Sequence, residues 1–198
     1  MQTALAIVAA YLLGSVPFAM IASRVFGLAD PRTYGSGNPG ATNVLRSGNK
    51  KAALFTLIGD ALKGAVAVIV AQQLGFTNTQ IGLVALAVFI GHLYPIFLRF
   101  KGGKGVATAA GVLLALDPLL GLAVAGTWIF VAFVSRYSSL AAVLAAVMAP
   151  VYQVLMHGGN GTTLVVGIIA MALIGKHWQN IQRLMAGQET KIGSKKKA

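Results

Sequence analysis

Cysteine is absent from the 198 residues, and acidic side chains nearly so: Asp30, Asp60, Asp117 and Glu189 are the only four. The first absence excludes a disulfide framework, a thiolate metal site and a cysteine nucleophile. The second removes the acidic cluster on which magnesium-dependent phosphotransfer relies. Charged residues of both signs make up 10% of the chain, against about a quarter in an average soluble domain. With 57% hydrophobic residues and a mean hydropathy of +0.77, too little polar surface remains to coat a soluble globule. Familiar catalytic patterns are missing as well. No His-x-x-x-x-Asp follows His92, His157 or His177, and there is no Gly-x-Ser-x-Gly elbow. No internal repeat is visible.

What is present is apolar sequence and positive charge. Sixteen Lys and Arg against four acids give a net charge of +12, which alone suits nucleic acid, a membrane surface or anionic substrates. Hydropathy decides for an integral membrane protein. A spanning helix needs roughly 20 apolar residues, and the candidates are 3–23, 52–74, 80–98, 106–116, 118–135, 139–157 and 162–178. The pattern predicts an all-α, polytopic protein with seven transmembrane helices. The fourth is short, at roughly 16 Å by helical rise, and Asp117-Pro118 separates it from the fifth. The first segment reads as a span rather than a cleavable signal, because its basic flank, Arg24, lies on its C-terminal side.

The connections alternate in charge. Arg24, Arg32, Arg46, Lys50 and Lys51 share one set with Arg99, Lys101, Lys104, Arg136 and the basic C-terminal end, whereas the connections at 75–79, 117 and 157–161 carry no Lys or Arg. By the positive-inside rule the basic set is cytoplasmic, so the N-terminus is expected outside and the C-terminus inside. One membrane-embedded domain over 1–192 and a disordered basic tail over 193–198 complete the expected organisation.

Polar residues gather on the basic side in three clusters. The first is Tyr34-Gly-Ser-Gly-Asn-Pro-Gly-Ala-Thr-Asn43, followed by Arg46. Its Gly-x-Gly-x-x-Gly follows no strand, so a dinucleotide site is excluded. Asn38-Pro39 reads as an N-cap and first helical residue, and helix N-termini attract anions. A plain interhelical loop is an equally good reading of that stretch. The second cluster is Arg99-Phe-Lys-Gly-Gly-Lys-Gly-Val-Ala-Thr108. It is not a Walker A motif, since Gly105 stands where a hydroxyl should hold magnesium. Gly102, Gly103, Gly105 and Thr108 around Lys104 at a helix start favour a phosphate cradle over a capped loop. The third, Lys176-His-Trp-Gln-Asn180 with Arg183 and Glu189, puts His177 and Asn180 on one helix face. Inside the second span, Asp60 and Lys63 form an i,i+3 pair that reads as structural rather than catalytic, and His92 sits one turn before Pro95. Asn160-Gly-Thr162 matches a glycosylation sequon by chance.

In order along the chain, these motifs resemble the PlsY family of bacterial membrane glycerol-3-phosphate acyltransferases, which use acyl phosphate as donor. The matching residues are Gly14-Ser-Val-Pro-Phe18, Gly35-Ser-Gly-Asn-Pro-Gly-Ala-Thr-Asn43 with Arg46, Gly59-Asp60-x-x-Lys63-Gly64, Gly91-His92-x-x-Pro95, Lys101-Gly-Gly-Lys-Gly105, Ser138-Ser139, and His177-x-x-Asn180-x-x-Arg183 with Glu189. The resemblance implies transfer of an acyl group to the sn-1 hydroxyl of glycerol 3-phosphate, giving lysophosphatidic acid and inorganic phosphate. It implies no cofactor and no metal. Its partners are the two substrates and the lipid bilayer, with no nucleic acid and no obligate protein partner. Catalytic roles would fall to Ser36, Arg46, Lys104, His177 and Asn180. Substrate contacts would come from Gly35, Gly37, Asn38, Thr42, Asn43, Gly102, Gly103, Gly105, Thr108 and Ser139, with Asp60, Lys63 and Glu189 structural. A bacterial inner membrane with the site facing the cytoplasm is the implied location. The alternative from another class is a carrier for phosphorylated metabolites, which would show the same short helix and buried pair.

Overall fold

The computed structural model describes residues 1–193; apart from Gly193, the tail expected to be disordered lies outside the described residues. Among them there are ten α-helices, one 3-10 turn and no strand. The helices are α1 (Gln2–Gly14), α2 (Phe18–Val25), α3 (Ala41–Leu45), α4 (Lys50–Gln73), α5 (Asn78–Leu93), α6 (Val106–Leu116), α7 (Pro118–Ser135), α8 (Ser138–His157), α9 (Gly161–Lys176) and α10 (Trp178–Met185), with the 3-10 turn at Ile96–Leu98. Several starts follow from local chemistry. Asp117 accepts the backbone N–H groups of Leu119 and Leu120 while Pro118 opens α7. Asn49 caps α4, and Thr77 with Gln80 forms a capping box on α5. Asn160, the apparent sequon, forms the equivalent box with Thr163 on α9.

Close packing is made at glycines. A Cβ on Gly14 would lie 2.1 Å from the Val88 carbonyl oxygen, and one on Gly91 would lie 2.3 Å from that of Tyr11, so α1 and α5 touch backbone to backbone. Between α4 and α6 the same holds for Gly64 against Thr108 O (2.4 Å) and Gly111 against Ala61 O (1.9 Å). Small residues at such crossings are what lets helices associate in lipid, where apolar burial gives no drive. Outward faces carry Leu54, Leu57, Ile129, Phe130 and Phe133, all exposed, a surface that hydrocarbon covers and water does not.

Four stretches are long and apolar enough to cross a membrane: Lys50–Gln73, Asn78–Leu98, Pro118–Ser135 and Ser138–His157. The expected spans 3–23 and 162–178 are not single helices. Each is a bent pair, α1 with α2 at 40° and α9 with α10 at 58°. The first bends because Pro17 has no N–H to continue the ladder, and the second because the helix stops at His177. In the span expected at 80–98, the α-helix ends at Leu93 and the 3-10 turn completes it. Irregular backbone at membrane depth must find partners within the protein, and these breaks supply one another. Tyr11 donates its hydroxyl to Tyr94 O (2.8 Å), Ser15 Oγ accepts from Ile96 N (3.4 Å), and Lys176 Nζ donates to Leu93 O (3.1 Å). Lys63 Nζ donates to Val16 O (2.9 Å), directly at the first break.

The two ends of the bundle differ in chemistry. Thr3 meets Gln80, Gln72 meets Ala115 O, and Asp117 pairs with His157 at the end without Lys or Arg. Thr42 meets Ser138 and Lys104 meets Asn180 at the other. Gly111→Ala is expected to force α4 and α6 apart, at about 1–3 kcal/mol for an overpacked core. Gly126→Ala, with open space around it, should be neutral or stabilising by up to about 1 kcal/mol. Thermal unfolding of the two variants in detergent checks the contrast.

Candidate active site

The loop before α3 is organised by one side chain. Asn43 is buried, and its Nδ2 donates to Pro31 O (2.6 Å) and Tyr34 O (3.2 Å). Its Oδ1 accepts from Ser36 N (2.9 Å), from Ser36 Oγ (3.2 Å) and from an Arg46 guanidinium N–H (3.4 Å). Ser36 and Arg46, ten positions apart, thus share an acceptor. Gly35 turns at φ +61°, and a Cβ there would sit 2.2 Å from Asn43 Oδ1. Asn43, expected to bind substrate, is the hub of this loop. The Asn38-Pro39 helix start is corrected: α3 begins at Ala41 after an extended Gly40. Pro39 instead borders a narrow cavity shared with Gly102 and Gly103. Thr42 Oγ1 lies 3.1 Å from Ser138 Oγ, tying α3 to the start of α8.

In the second cluster the glycines are turned toward α5. A Cβ on Gly102 would stand 2.2 Å from His92 O, and one on Gly103 2.2 Å from His92 Nε2. Gly105 caps α6 at φ +83° with its α-carbon against Phe89. Thr108 is fully buried, and its Oγ1 is hydrogen-bonded to His92 Nδ1 at 3.1 Å. Lys101 is exposed and Lys104 part-buried on this turn, and the first N–H groups of α6 have no intrahelical acceptor. Lys104 Nζ donates to Asn180 Oδ1. Burial pushes the Lys104 pKa down to about 8; Arg183 and Arg46 push the same way and Glu189 opposes them. Residues of all three clusters therefore act on one ammonium group.

Behind Lys104 stands Glu189. Its Oε1 accepts from Asn180 Nδ2 (2.8 Å) and Ser139 Oγ (3.1 Å), and its Oε2 from Arg183 Nε (2.9 Å). Burial raises its pKa, but the hydrogen bonds from Asn180 and Arg183 outweigh this and hold it below the usual carboxylate range. Arg183, a matching residue with no expected role of its own, is one arm of this site. The chain reverses at Gly187 (φ +67°) to bring Glu189 back to it, a turn that helical spacing conceals. His177, at the joint of α9 and α10, is buried with Nδ1 2.8 Å from Leu173 O. A carbonyl only accepts, so Nδ1 carries the proton and Nε2 bears the lone pair of the neutral ring.

Residues 4–187 match the family model described as glycerol-3-phosphate acyltransferase. A glycerol-3-phosphate acyltransferase of Dechloromonas aromatica is 82% identical over 198 residues, the full length of both chains. This chain belongs to the glycerol-3-phosphate acyltransferase family. Another member, from Burkholderia multivorans, is 60% identical over all of this chain and 94% of its own. Among solved structures, PlsY (YgiH), an integral membrane glycerol 3-phosphate acyltransferase, superposes in its glycerol 3-phosphate form with a TM-score of 0.92 at 35% identity, covering 98% of this chain and 96% of that one. Its lysophosphatidic acid form superposes with a TM-score of 0.90 at 34% identity over the same shares. The all-helical fold is that of an integral membrane acyltransferase, as the resemblance implied.

Asn43→Ala would strip Ser36 and two loop carbonyls of their partner. At about 1 kcal/mol per lost hydrogen bond, amide exchange across 31–40 is expected to accelerate by about an order of magnitude or more, read by hydrogen–deuterium exchange.

Proposed function

We propose that this acyltransferase moves an acyl group from acyl phosphate to the sn-1 hydroxyl of glycerol 3-phosphate, releasing lysophosphatidic acid and inorganic phosphate. The observation that carries the reading is the convergence of Lys104, Arg46 and Arg183 on a site whose one carboxylate, Glu189, is already engaged. Such a site suits two phosphate-bearing substrates. The relative's glycerol 3-phosphate and lysophosphatidic acid forms support the acceptor and the product.

The donor is activated before it binds, so no covalent enzyme intermediate is needed. The hydroxyl oxygen attacks the acyl carbonyl carbon, the bond from that carbon to the phosphate oxygen breaks, and phosphate leaves with its electron pair. Holding both substrates in line supplies much of the rate. Lys104, Arg46 and the α6 N–H groups oppose the negative charge that develops on the carbonyl oxygen and leaving group. The hydroxyl is oriented or deprotonated by His177 Nε2, or its proton passes to a phosphate oxygen of the donor; near-full turnover of His177→Ala at saturating substrate rules out the protein base. We place the site on the cytoplasmic face of a bacterial inner membrane, because the basic connections share its end of the bundle. The reading assigns no step to a metal ion, which the chelator experiment below tests.

Purified protein given palmitoyl phosphate should release phosphate only when glycerol 3-phosphate is added, and should do so with chelator present. Release without the acceptor contradicts acyl transfer, and sensitivity to chelator contradicts the metal-free reaction. Flux of labelled glycerol 3-phosphate into sealed vesicles without lipid synthesis would point to a carrier.

Lys104 works as a cation, and with a pKa of about 8 it is protonated below that pH and neutral above it. The rate should therefore fall as pH rises through about 8. In Lys104→Arg, whose guanidinium stays charged, that alkaline limb should disappear. Lys104→Met should lower kcat/KM by about 100-fold or more at every pH, the cost of one transition-state donor.

A further inference from the structure

His92 lies outside the three clusters, yet the Gly102–Lys104 turn rests on it. Its carbonyl accepts Gly103 N–H (3.1 Å), and no Cβ fits between that carbonyl and Gly102 or between its Nε2 and Gly103. The ring is buried and fixed at its other nitrogen: Nδ1 is 3.1 Å from Thr108 Oγ1 and 3.4 Å from Asp60 Oδ1. Asp60 is in turn paired with Lys63 at 2.8 Å, and Lys63 holds Val16 O at the first helix break. Asp60, Lys63, His92, Gly102 and Gly103 border one cavity with Pro39, so the same buried group underlies both glycine-rich loops.

We propose that His92, oriented by Asp60 and Thr108, is a positioning residue for acyl transfer: it seats the Gly102–Lys104 turn and thereby sets the position of Lys104 against the acyl carbonyl oxygen and the leaving phosphate. This rests on the acyltransferase reading. A buried ion pair is costly in hydrocarbon, and apolar residues of equal volume would serve packing alone as well. What apolar residues would not do is direct a ring at one nitrogen and leave its far edge against a loop. The arrangement also assigns Gly103 its reason to be glycine, which is the ring it faces rather than a ligand.

The test is a double-variant cycle on the full chain in detergent, measuring kcat and KM for each substrate. His92→Ala and Gly103→Ala should each lower kcat by about 100-fold, the cost of a misplacement near 1 Å. KM for either substrate should change little. Because the added methyl enters the space the ring vacates, the double variant should lose no more than the worse single one. Losses that multiply in the double variant, or that fall on KM with kcat unchanged, overturn the proposal. If His92→Ala does not fold, His92→Asn, which keeps a polar group near Thr108 but lacks the far edge of the ring, takes its place with the same expectation. Amide exchange at Gly103 and Lys104 gives a reading independent of turnover: it should quicken in either His92 variant, and unchanged exchange overturns the seat. If the wild-type chain releases no phosphate, the acyltransferase reading fails on its own and the exchange result still decides whether His92 holds the turn.

Discussion

Backbone contact between helices at glycine is the constraint on which the rest of this structure depends. Hydrocarbon gives helices no reason to associate through apolar surface, so α1 meets α5 at Gly14 and Gly91, and α4 meets α6 at Gly64 and Gly111. These crossings fix more than spacing. With Gly91 against Tyr11 O and the Ser15 nitrogen, the break before Pro17 lies beside the one after Leu93. With Gly64 against Thr108, the start of α6 is held on the turn of α4 that carries Asp60 and Lys63. Broken helices then exchange hydrogen bonds across Tyr94, Ile96 and Val16, which makes the irregular backbone tolerable at membrane depth.

A second constraint is the shortage of negative charge. All four acids are engaged. Asp30 pairs with Arg32, Asp60 pairs with Lys63, Asp117 caps α7 and meets His157, and Glu189 takes Arg183, Asn180 and Ser139. No other carboxylate side chain exists to serve as a general base, while a net charge of +12 remains. A chain so composed handles anionic substrates by attraction. In the proposed reaction the proton's destination is then a phosphate oxygen of the donor or the lone pair that the Leu173 carbonyl leaves at His177 Nε2.

Much of this was legible along the chain. Apolar runs located the long helices but not α3 or α10, Asp117-Pro118 separated α6 from α7, and Pro17 carried the signal for a break although the hydropathy of 3–23 concealed it. Spacing also joined Asp60 to Lys63, since i,i+3 neighbours share a helix face. What lay beyond reach were contacts set by tertiary approach. His92 stands 32 positions from Asp60 and 16 from Thr108, separations at which sequence carries no geometric information. Asn43 illustrates the same limit differently. An asparagine in a glycine-rich loop reads equally as a ligand or as a brace, because either role uses the same amide. The placement of Pro31, Tyr34 and Ser36 around it shows that it braces the loop.

The glycine-rich turn before α6 shows why composition and chemistry point to the same place for different reasons. Its glycines let the chain lie against His92 and Phe89, and in the proposed reaction the charge on this turn is supplied by Lys104. That lysine is held by an amide oxygen rather than a carboxylate. A carboxylate in contact would neutralise the ammonium group and compete with an incoming phosphate. Asn180 instead fixes the position of Nζ while leaving its charge unspent, and passes the demand for a counter-charge one residue further back to Glu189. Separating the group that orients the cation from the group that balances it gives a site that is pre-organised and still positive, the two properties that stabilising a developing phosphate anion requires.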